Sequence, residues 1–319
     1  MFSYNRAFIY ILLQSSIIEA RELQCKMKKV LLLGGAGLVG TRIRDLFSTT
    51  FRIVSPFHAE LDVTNHAAVK LFIAAQQPDV IIYAAGITNP DKAEEYREEA
   101  FAVNAEAPRM IAAIAKETKI KLLYLSTDAV FNGSGRHPFK EDDQTDPVNY
   151  YGYTKRKGEE FVLRASDTNS VLRLITVYSD FFSGKKDIAR LAIDAFIRRE
   201  SFAGIMDQYF SPTYVDHVVY AVAQVINKNV SGILHIGARD CISNYAFVSL
   251  LAKLGGFEDA RITSVSFTEF YKDKKAKRSN YACLDTAKAL SILDNSCIVP
   301  IAEGLRLFLK NYHSRFSQS

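Results

Sequence analysis

The sequence lacks the features that mark several classes of protein. No stretch approaches the roughly 20 apolar residues that a membrane-spanning helix needs, although 48% of the residues are hydrophobic. The net charge of +5 is mild and gives no reason to expect nucleic acid as a partner. Internal repeats and low-complexity tracts are missing as well. These absences favour a globular protein, and its 319 residues allow one large or two moderate domains.

Cysteine and histidine are scattered without a recognisable spacing. The six histidines form no His-x-x-x-His pair, so we expect no metal site built from protein side chains. The four cysteines show neither metal-binding nor redox spacing, which predicts reduced thiols in a cytoplasmic protein: Cys25, Cys241, Cys283 and Cys297.

Residues 1–26 precede the first strand-like segment and contain only a short apolar run, Ala7–Leu13. A signal peptide would show a clearer basic start and a small-residue cleavage site. Because Met27 stands directly before the predicted strand, we expect it to be the working start and residues 1–26 to be an upstream over-read. The alternative is a loosely docked amphipathic extension.

A glycine-rich turn follows the first predicted strand. The apolar run Lys28–Leu33 is typical of a buried parallel strand. Gly34, Gly37 and Gly40 follow it at a three-residue spacing and lead into a helix-like segment. Such glycines allow a tight turn and let the backbone approach a pyrophosphate at the helix N-terminus. The pattern predicts a dinucleotide-binding site rather than an ordinary turn.

Tyr151 and Lys155 are four residues apart, which places them on one face of a predicted helix. A free tyrosine has a pKa of about 10; a nearby ammonium lowers it towards the range that a general acid needs. Upstream, a predicted strand ends at Thr127, and ligands bind at such strand ends in open α/β sheets. Alone, these patterns also fit a solvated helix face and a simple turn.

The whole pattern alternates strands with helices, which predicts an α/β fold of the Rossmann type with a doubly wound parallel sheet. The strands are predicted at 28–33, 52–55, 79–83, 121–126, 170–175 and 232–236. The helices are predicted at 38–48, 65–75, 98–117, 150–166, 187–199, 215–226 and 243–254.

Taken together, these elements resemble the extended short-chain dehydrogenases/reductases, and in detail the dTDP-4-dehydrorhamnose reductase branch. The resemblance spans about residues 27–312 and implies two domains. An NAD(P)-binding Rossmann domain covers 27–177, with a return segment at about 212–236. A smaller C-terminal α/β substrate-binding domain comprises 178–211 and 237–319. The stretches that carry the resemblance are Gln77–Gly86, Asp91–Glu94, Val103–Ala105, Leu125–Gly133, Tyr151–Lys155 and Asp207–Thr213.

The resemblance also assigns roles to individual residues. The catalytic residues would be Thr127, Tyr151 and Lys155. Substrate would be bound by Thr127, Asp128, Val130, Gln208 and Arg278; a serine follows Arg278 where the family has a proline. The cofactor, NADPH or NADH, would be bound by Gly34, Gly37, Leu38, Val39, Gly40, Arg42, Asp62, Val63, Ala84, Ala85, Gly86, Thr88, Asn104, Tyr151 and Lys155.

Three of these cofactor assignments leave alternatives open. No acid ends the second strand, where a carboxylate would bind the adenosine ribose and repel a 2′-phosphate. Arg42 and Ser55 could accommodate that phosphate, which favours NADPH or dual use. Asp62 either contacts the adenine, as in the family, or is an acid at a helix N-terminus. Asn104 either faces the cofactor or satisfies backbone groups.

The reaction implied by the resemblance is reduction of a 4-keto-6-deoxy nucleotide sugar, above all dTDP-4-dehydro-β-L-rhamnose. One alternative is another epimerase or reductase of the extended family. The other is a non-catalytic, cofactor-binding regulatory subunit like the β subunit of methionine adenosyltransferase. We expect a nucleotide-sugar partner, no nucleic acid and no membrane, and a homodimer is left open.

Overall fold

A computed structural model of the chain describes residues 27–135, 137–181, 184 and 186–316. The extension expected at residues 1–26 lies outside them. In this described part, no helix is long and apolar enough to cross a membrane.

The strands and helices follow one another closely along the chain. The strands are β1 (Lys29–Leu33), β2 (Arg52–Val54), β3 (Val80–Tyr83), β4 (Lys121–Thr127), β5 (Ser170–Leu174), β6 (Val177–Tyr178), β7 (Ser201–Ile205), β8 (Tyr209–Phe210), β9 (Thr213–Tyr214), β10 (Gly232–Ile236), β11 (Ile242–Ser243), β12 (Arg261–Val265) and β13 (Tyr281–Ala282). The helices are α1 (Leu38–Phe47), α2 (His66–Gln76), α3 (Pro90–Glu95), α4 (Arg97–Phe101), α5 (Ala107–Thr118), α6 (Tyr150–Ala165), α7 (Ile188–Ile197), α8 (Val215–Asn227), α9 (Asn244–Leu254), α10 (Phe267–Tyr271), α11 (Ala287–Ile292) and α12 (Ile301–Phe316).

Six strands form a parallel sheet in the order β10–β5–β4–β3–β1–β2. Successive side chains of β1 point to opposite faces, as in any strand. Val30 packs with α1 and α8 in one core, whereas Leu31 packs with α2 and α5 in another. The sheet is therefore covered on both faces, and the predicted Rossmann-type fold is confirmed. The strand order reverses between β1 and β3, which is where such sheets bind ligands.

A further core lies beyond the large sheet and contains the short strands of the C-terminal part. In this part β8 pairs with both β11 and β13, β7 pairs with β12, and β6 pairs with β9. Their core combines residues of α7, α9 and α12 with Phe131 and Phe139 from the segment after β4. The predicted return segment contributes β10 to the large sheet. The exact domain boundaries stay a prediction.

The helix predicted at 98–117 is broken in the structure. It consists of α4, a π-helical turn over Ala102–Glu106, and α5. Pro108, in the first turn of α5, has no N–H to donate to the carbonyl of Asn104 four residues earlier. That carbonyl instead accepts a hydrogen bond of 2.7 Å from the hydroxyl of Tyr124 on β4. A tertiary contact therefore replaces the helical one.

Two of the cysteines expected as reduced thiols are joined. A disulfide links Cys241 and Cys283, whose Cα atoms are 5.8 Å apart, whereas Cys297 is buried and free. The prediction was wrong for this pair because β11 and β13 both pair with β8. Residues 42 positions apart are thereby brought together, which sequence spacing does not reveal.

Peptide mapping without reductant is expected to find a crosslinked peptide containing Cys241 and Cys283. Reduction should separate it and lower the free energy of unfolding by about 2–4 kcal/mol, because a closed loop restricts the unfolded chain. Cys297→Ser is the matched control and should leave the crosslinked peptide in place. Alkylation of Cys241 and Cys283 in the unreduced protein would show that the pair is reduced.

Candidate active site

A cavity of about 280 Å³ lies at the carboxyl ends of β1 and β3. Its walls are the turn Leu33–Gly37, the segments Pro56–His58 and Leu61–Val63 after β2, the end of β3 at Ala84–Ile87, and Val103. Five predicted cofactor residues besides the glycines of the turn therefore line one space. They are Asp62, Val63, Ala84, Ala85 and Gly86.

The glycine turn fits a dinucleotide pyrophosphate. Gly34 has a φ of +92°, and a Cβ at Gly40 would lie 2.3 Å from the carbonyl oxygen of Gly34. These two glycines therefore allow α1 to begin directly on the turn. At Gly37, the N-cap of α1, no side chain caps the helix, and a Cβ would meet only the Gly34 oxygen at 3.5 Å. An anion can thus approach the positive end of the helix.

Arg44 and Ser55, rather than Arg42, lie beside the turn. A Cβ at Gly35 would meet the Ser55 Oγ at 1.9 Å and the Arg44 Cδ at 3.4 Å. The Ser55 Oγ is buried and has no hydrogen-bond partner among the described residues. The Arg44 guanidinium lies 5.6 Å from the centre of the Phe57 ring at the cavity wall.

Arg42 does not face the cofactor side as expected. Its Nε and Nη2 donate to the carboxylate of Asp216 at 2.5 and 2.7 Å, and its guanidinium lies over the Phe181 ring. Residues two apart on a helix point in different directions. Arg42 is therefore paired with Asp216, whereas Arg44, two residues further along the same helix, lies beside Gly35.

Asn104 satisfies backbone groups, which was the second of the two predicted alternatives. Its Oδ1 accepts from the N–H of Ile87 at 2.9 Å, and its Nδ2 donates to the Ile87 carbonyl and to the Thr154 hydroxyl, each at 3.0 Å. Asn104 is fully buried and thus fixes the cavity wall to helix α6.

The other predicted cofactor residues differ in position. Asp62 lines the cavity while its Oδ1 accepts two hydrogen bonds from Thr64, which lower the pKa of Asp62. Leu38 and Val39 pack against the hydrophobic cores. Thr88 is exposed in the loop after β3.

Helix α6 carries Tyr151 and Lys155 and packs directly on the turn after β4. The Asn149 side chain caps the helix by accepting from the N–H of Gly152 at 2.9 Å. A Cβ at Gly152 would lie 2.0 Å from the carbonyl oxygen of Ala129 in that turn. This close approach places the Tyr151 side chain next to Thr127, whose hydroxyl lowers the pKa of Tyr151.

Thr127 lies at the same edge of the sheet as the cavity. The parallel register aligns Tyr124 of β4 with Tyr83 of β3. Thr127 and Gly86 each follow three residues later, so both lie at the carboxyl edge of the sheet. The Thr127 hydroxyl donates to Asp128 at 3.0 Å. Burial raises the pKa of Asp128 to about 6, against the lowering effect of the Thr127 hydroxyl.

The charges of Tyr151 and Lys155 are set by different neighbours. Desolvation raises the pKa of Tyr151, the Thr127 hydroxyl lowers it, and the charge of Asp128 raises it. The Lys155 ammonium donates to the Leu125 carbonyl at 2.6 Å and lies 4.0 Å from the centre of the Tyr124 ring. Helical spacing predicted that Tyr151 and Lys155 share one face of α6. It did not predict that the Lys155 ammonium points towards strand β4.

The predicted substrate residues differ in burial and in their contacts. Val130 is fully buried in the C-terminal core, which contradicts its assignment to the substrate site. Arg278 forms an ion pair of 3.0 Å with Asp91. The Gln208 amide donates to the Ser279 carbonyl at 3.4 Å, so Gln208 and the segment around Arg278 are in contact.

A buried ionic group beneath the catalytic helix was missed by the sequence reasoning. Arg173 on β5 donates to both carboxylate oxygens of Glu159 on α6, and the Ser126 hydroxyl donates to the same carboxylate. The available signal was that Glu159 is one further helical step of four residues after Lys155. In the described part of the chain, no group of three or more His, Cys, Asp or Glu side chains could hold a metal ion.

Comparison with known proteins agrees with this geometry. The chain is similar to a dTDP-4-dehydrorhamnose reductase from Salmonella typhimurium, with 32% identity over 74% of this chain and 80% of the relative. A probable dTDP-4,6-dihydroxy-2-methyloxan-3-one 4-ketoreductase from Streptomyces antibioticus is 34% identical over 80% and 85%. The crystal structure of a Bacillus anthracis dTDP-4-dehydrorhamnose reductase in complex with NADP matches with a TM-score of 0.83 and 25% identity, covering 89% of this chain and 99% of that one.

The family comparison covers nearly the whole described chain. A model described as the RmlD substrate binding domain matches residues 27–313, close to the span over which the motifs resemble the reductase branch. The glycine turn, the Thr127 turn and the Tyr151–Lys155 helix all fall within it. The chain belongs to the RmlD substrate-binding-domain family.

Proposed function

We propose that the protein is an NAD(P)H-dependent reductase of a 4-keto-6-deoxy nucleotide sugar, with dTDP-4-dehydro-β-L-rhamnose as substrate and dTDP-L-rhamnose as product. The observation that carries the proposal is that Thr127 and Tyr151 are neighbours at the sheet edge where the dinucleotide cavity also lies. Family members named dTDP-4-dehydrorhamnose reductase support the substrate, and the relative solved with NADP supports the cofactor.

The bound nicotinamide cofactor would supply hydride to the keto carbon. The hydroxyl of Tyr151 donates the proton to the keto oxygen. Its raised pKa keeps Tyr151 protonated at neutral pH, which suits a proton donor. The Thr127 hydroxyl, which donates to Asp128 in the structure, would turn its hydrogen to the same keto oxygen and stabilise negative charge as it develops there. Lys155 binds the nicotinamide ribose. The lowering of the Tyr151 pKa that the sequence predicted from its charge is not found, since burial raises that pKa.

The substrate side is formed by the C-terminal part of the chain. Arg278 is held over the Rossmann half by Asp91 and beside the ring of Tyr271. A guanidinium binds a diphosphate through parallel hydrogen bonds, so Arg278 would exchange Asp91 for the substrate diphosphate. Gln208 contacts Tyr271 as well and would complete this end of the site. A cytoplasmic location and a homodimer accord with this function and stay predictions.

Purified protein given NADPH, dTDP-4-keto-6-deoxyglucose and the 3,5-epimerase is expected to consume NADPH only when the epimerase is present. Loss of the reduced-nicotinamide absorbance measures the reaction. Consumption without epimerase would indicate an unepimerised keto sugar as substrate. Intact cofactor binding with no turnover of either sugar would favour the regulatory-subunit alternative.

Tyr151→Phe is expected to lower kcat at least about 100-fold, because positioned proton transfer contributes roughly 10²–10⁴-fold. Binding of NADPH should be nearly unchanged, since the ring is kept. Tyr153→Phe is the matched control on the same helix and should keep full activity, because Tyr153 is 37% exposed. Near-normal turnover in Tyr151→Phe would end this assignment.

Cofactor preference should depend on Arg44. Arg44→Ala is expected to raise the Kd for NADPH about tenfold and leave that for NADH unchanged, because only NADPH offers a 2′-phosphate to a charge-assisted hydrogen bond. Fluorescence titration with each cofactor measures both values. Arg42→Ala should keep the ratio of the two affinities and instead lower the free energy of unfolding by about 3 kcal/mol, because it leaves Asp216 buried and unpaired. A ratio that changes in Arg42→Ala but not in Arg44→Ala would reverse the assignment.

A further inference from the structure

Lys155 lies in surroundings that oppose its charge. Its side chain is 4% exposed, and its ammonium contacts one carbonyl, that of Leu125, and the face of the Tyr124 ring. Burial lowers the pKa of Lys155 to about 7, although the charge of Glu159 raises it. Burial therefore disfavours the positive charge that the proposed role of Lys155 requires.

Glu159 is fixed more firmly than a helix-surface carboxylate would be. Its side chain is 4% exposed and pairs with Arg173 at 2.8 Å. The Ser126 hydroxyl donates to Oε1, and the Arg173 Nε donates to both oxygens at 3.0 and 3.2 Å. Since Tyr151, Lys155 and Glu159 follow at steps of four residues, they share one face of α6.

The other charged groups around this face act on other partners. Asp128, at the end of β4, shifts the pKa of Tyr151. His235 on β10 contacts Arg173 at 3.3 Å, and Glu141 accepts from the backbone of His235. On the helices packed against the far side of α6, Asp91 pairs with Arg278, Glu94 with Arg97 and the Tyr150 N–H, and Glu106 with Arg109. The other charged residues of these helices are exposed: Lys92, Glu95, Glu98, Glu99, Lys116 and Glu117.

We propose that Glu159 is a positioning residue that keeps Lys155 protonated in the working pH range, and that Ser126 and Arg173 hold its carboxylate in place for this purpose. Glu159 is buried and does not line the cavity, so it acts through the charge of Lys155. The proposal rests on the proposed function for its consequence in catalysis. The charge state of Lys155 is nevertheless a property of the protein alone.

The titration of Lys155 tests the proposal directly. In cofactor-free protein with ¹³C-labelled lysine ε-carbons, the Lys155 resonance is identified by its loss in Lys155→Met. Glu159→Gln keeps the shape of the side chain and one acceptor oxygen, replaces the other oxygen by an amide donor and removes the charge, so the titration midpoint should fall by about one pH unit. Glu160→Gln, the neighbouring carboxylate paired with Arg156 and Lys157, should leave the midpoint unchanged.

Arg173→Gln provides the opposite change and guards against a variant that fails to fold. It removes the positive charge that offsets Glu159, so the Lys155 midpoint should rise. The proposal is overturned if the Lys155 midpoint is unchanged or higher in Glu159→Gln. It is also overturned if that midpoint is lower in a folded Arg173→Gln variant. These outcomes do not depend on the sugar, so they are separate from any failure of the proposed reaction.

Catalysis supplies a second readout. In Glu159→Gln the alkaline limb of the kcat/KM profile should move to lower pH by the same amount, with activity recovered at the acidic end. A merely structural role would lower activity equally at every pH. The NADPH affinity should weaken at high pH in step with the lysine titration.

Discussion

The close packing of helix α6 on the turn after β4 is the constraint on which the site depends. Gly152 leaves room for the Ala129 carbonyl, and Asn149 fixes where the helix begins. Together they bring Tyr151 to Thr127. The sheet supplies the rest, because the parallel register ends β3 and β4 at one edge. The cavity and the pair Thr127 and Tyr151 are thereby placed at one edge of the sheet, on rigid elements.

Much of the Rossmann half could be predicted because its signals are local. Lys29–Leu33 is a buried apolar run, and the glycines after it are needed within a few residues of one another. The misses have a common physical cause, since each depends on a contact between distant segments. Arg42 is drawn to Asp216, Val130 to the C-terminal core, and Cys241 to Cys283. The hydrophobic periodicity of a sequence does not reveal such contacts.

The buried ionic group beneath α6 shows how charge and hydrogen bonding are combined at this site. Removing two charges from water is expensive unless the geometry is good and further hydrogen bonds are made. Arg173 and Glu159 meet both conditions through their bidentate contact and the Ser126 hydroxyl. The group thus links β4, β5 and α6 next to the buried Lys155 ammonium. The same Glu159 carboxylate therefore stabilises the packing of these elements and, in our proposal, the charge of Lys155.

The π-helical turn before α5 has a geometric consequence of its own. A regular helix turns about 100° per residue, so one additional residue in a turn rotates everything after it by nearly a third of a revolution relative to what precedes it. Val103 can thereby face the cavity while Asn104 faces Ile87 and Ile111 faces the sheet. Pro108 makes this change of rotational phase stable, since a residue with a free N–H would favour the regular helix. A break in helical regularity, rather than a loop, is what lets one helix serve both the cofactor cavity and the core.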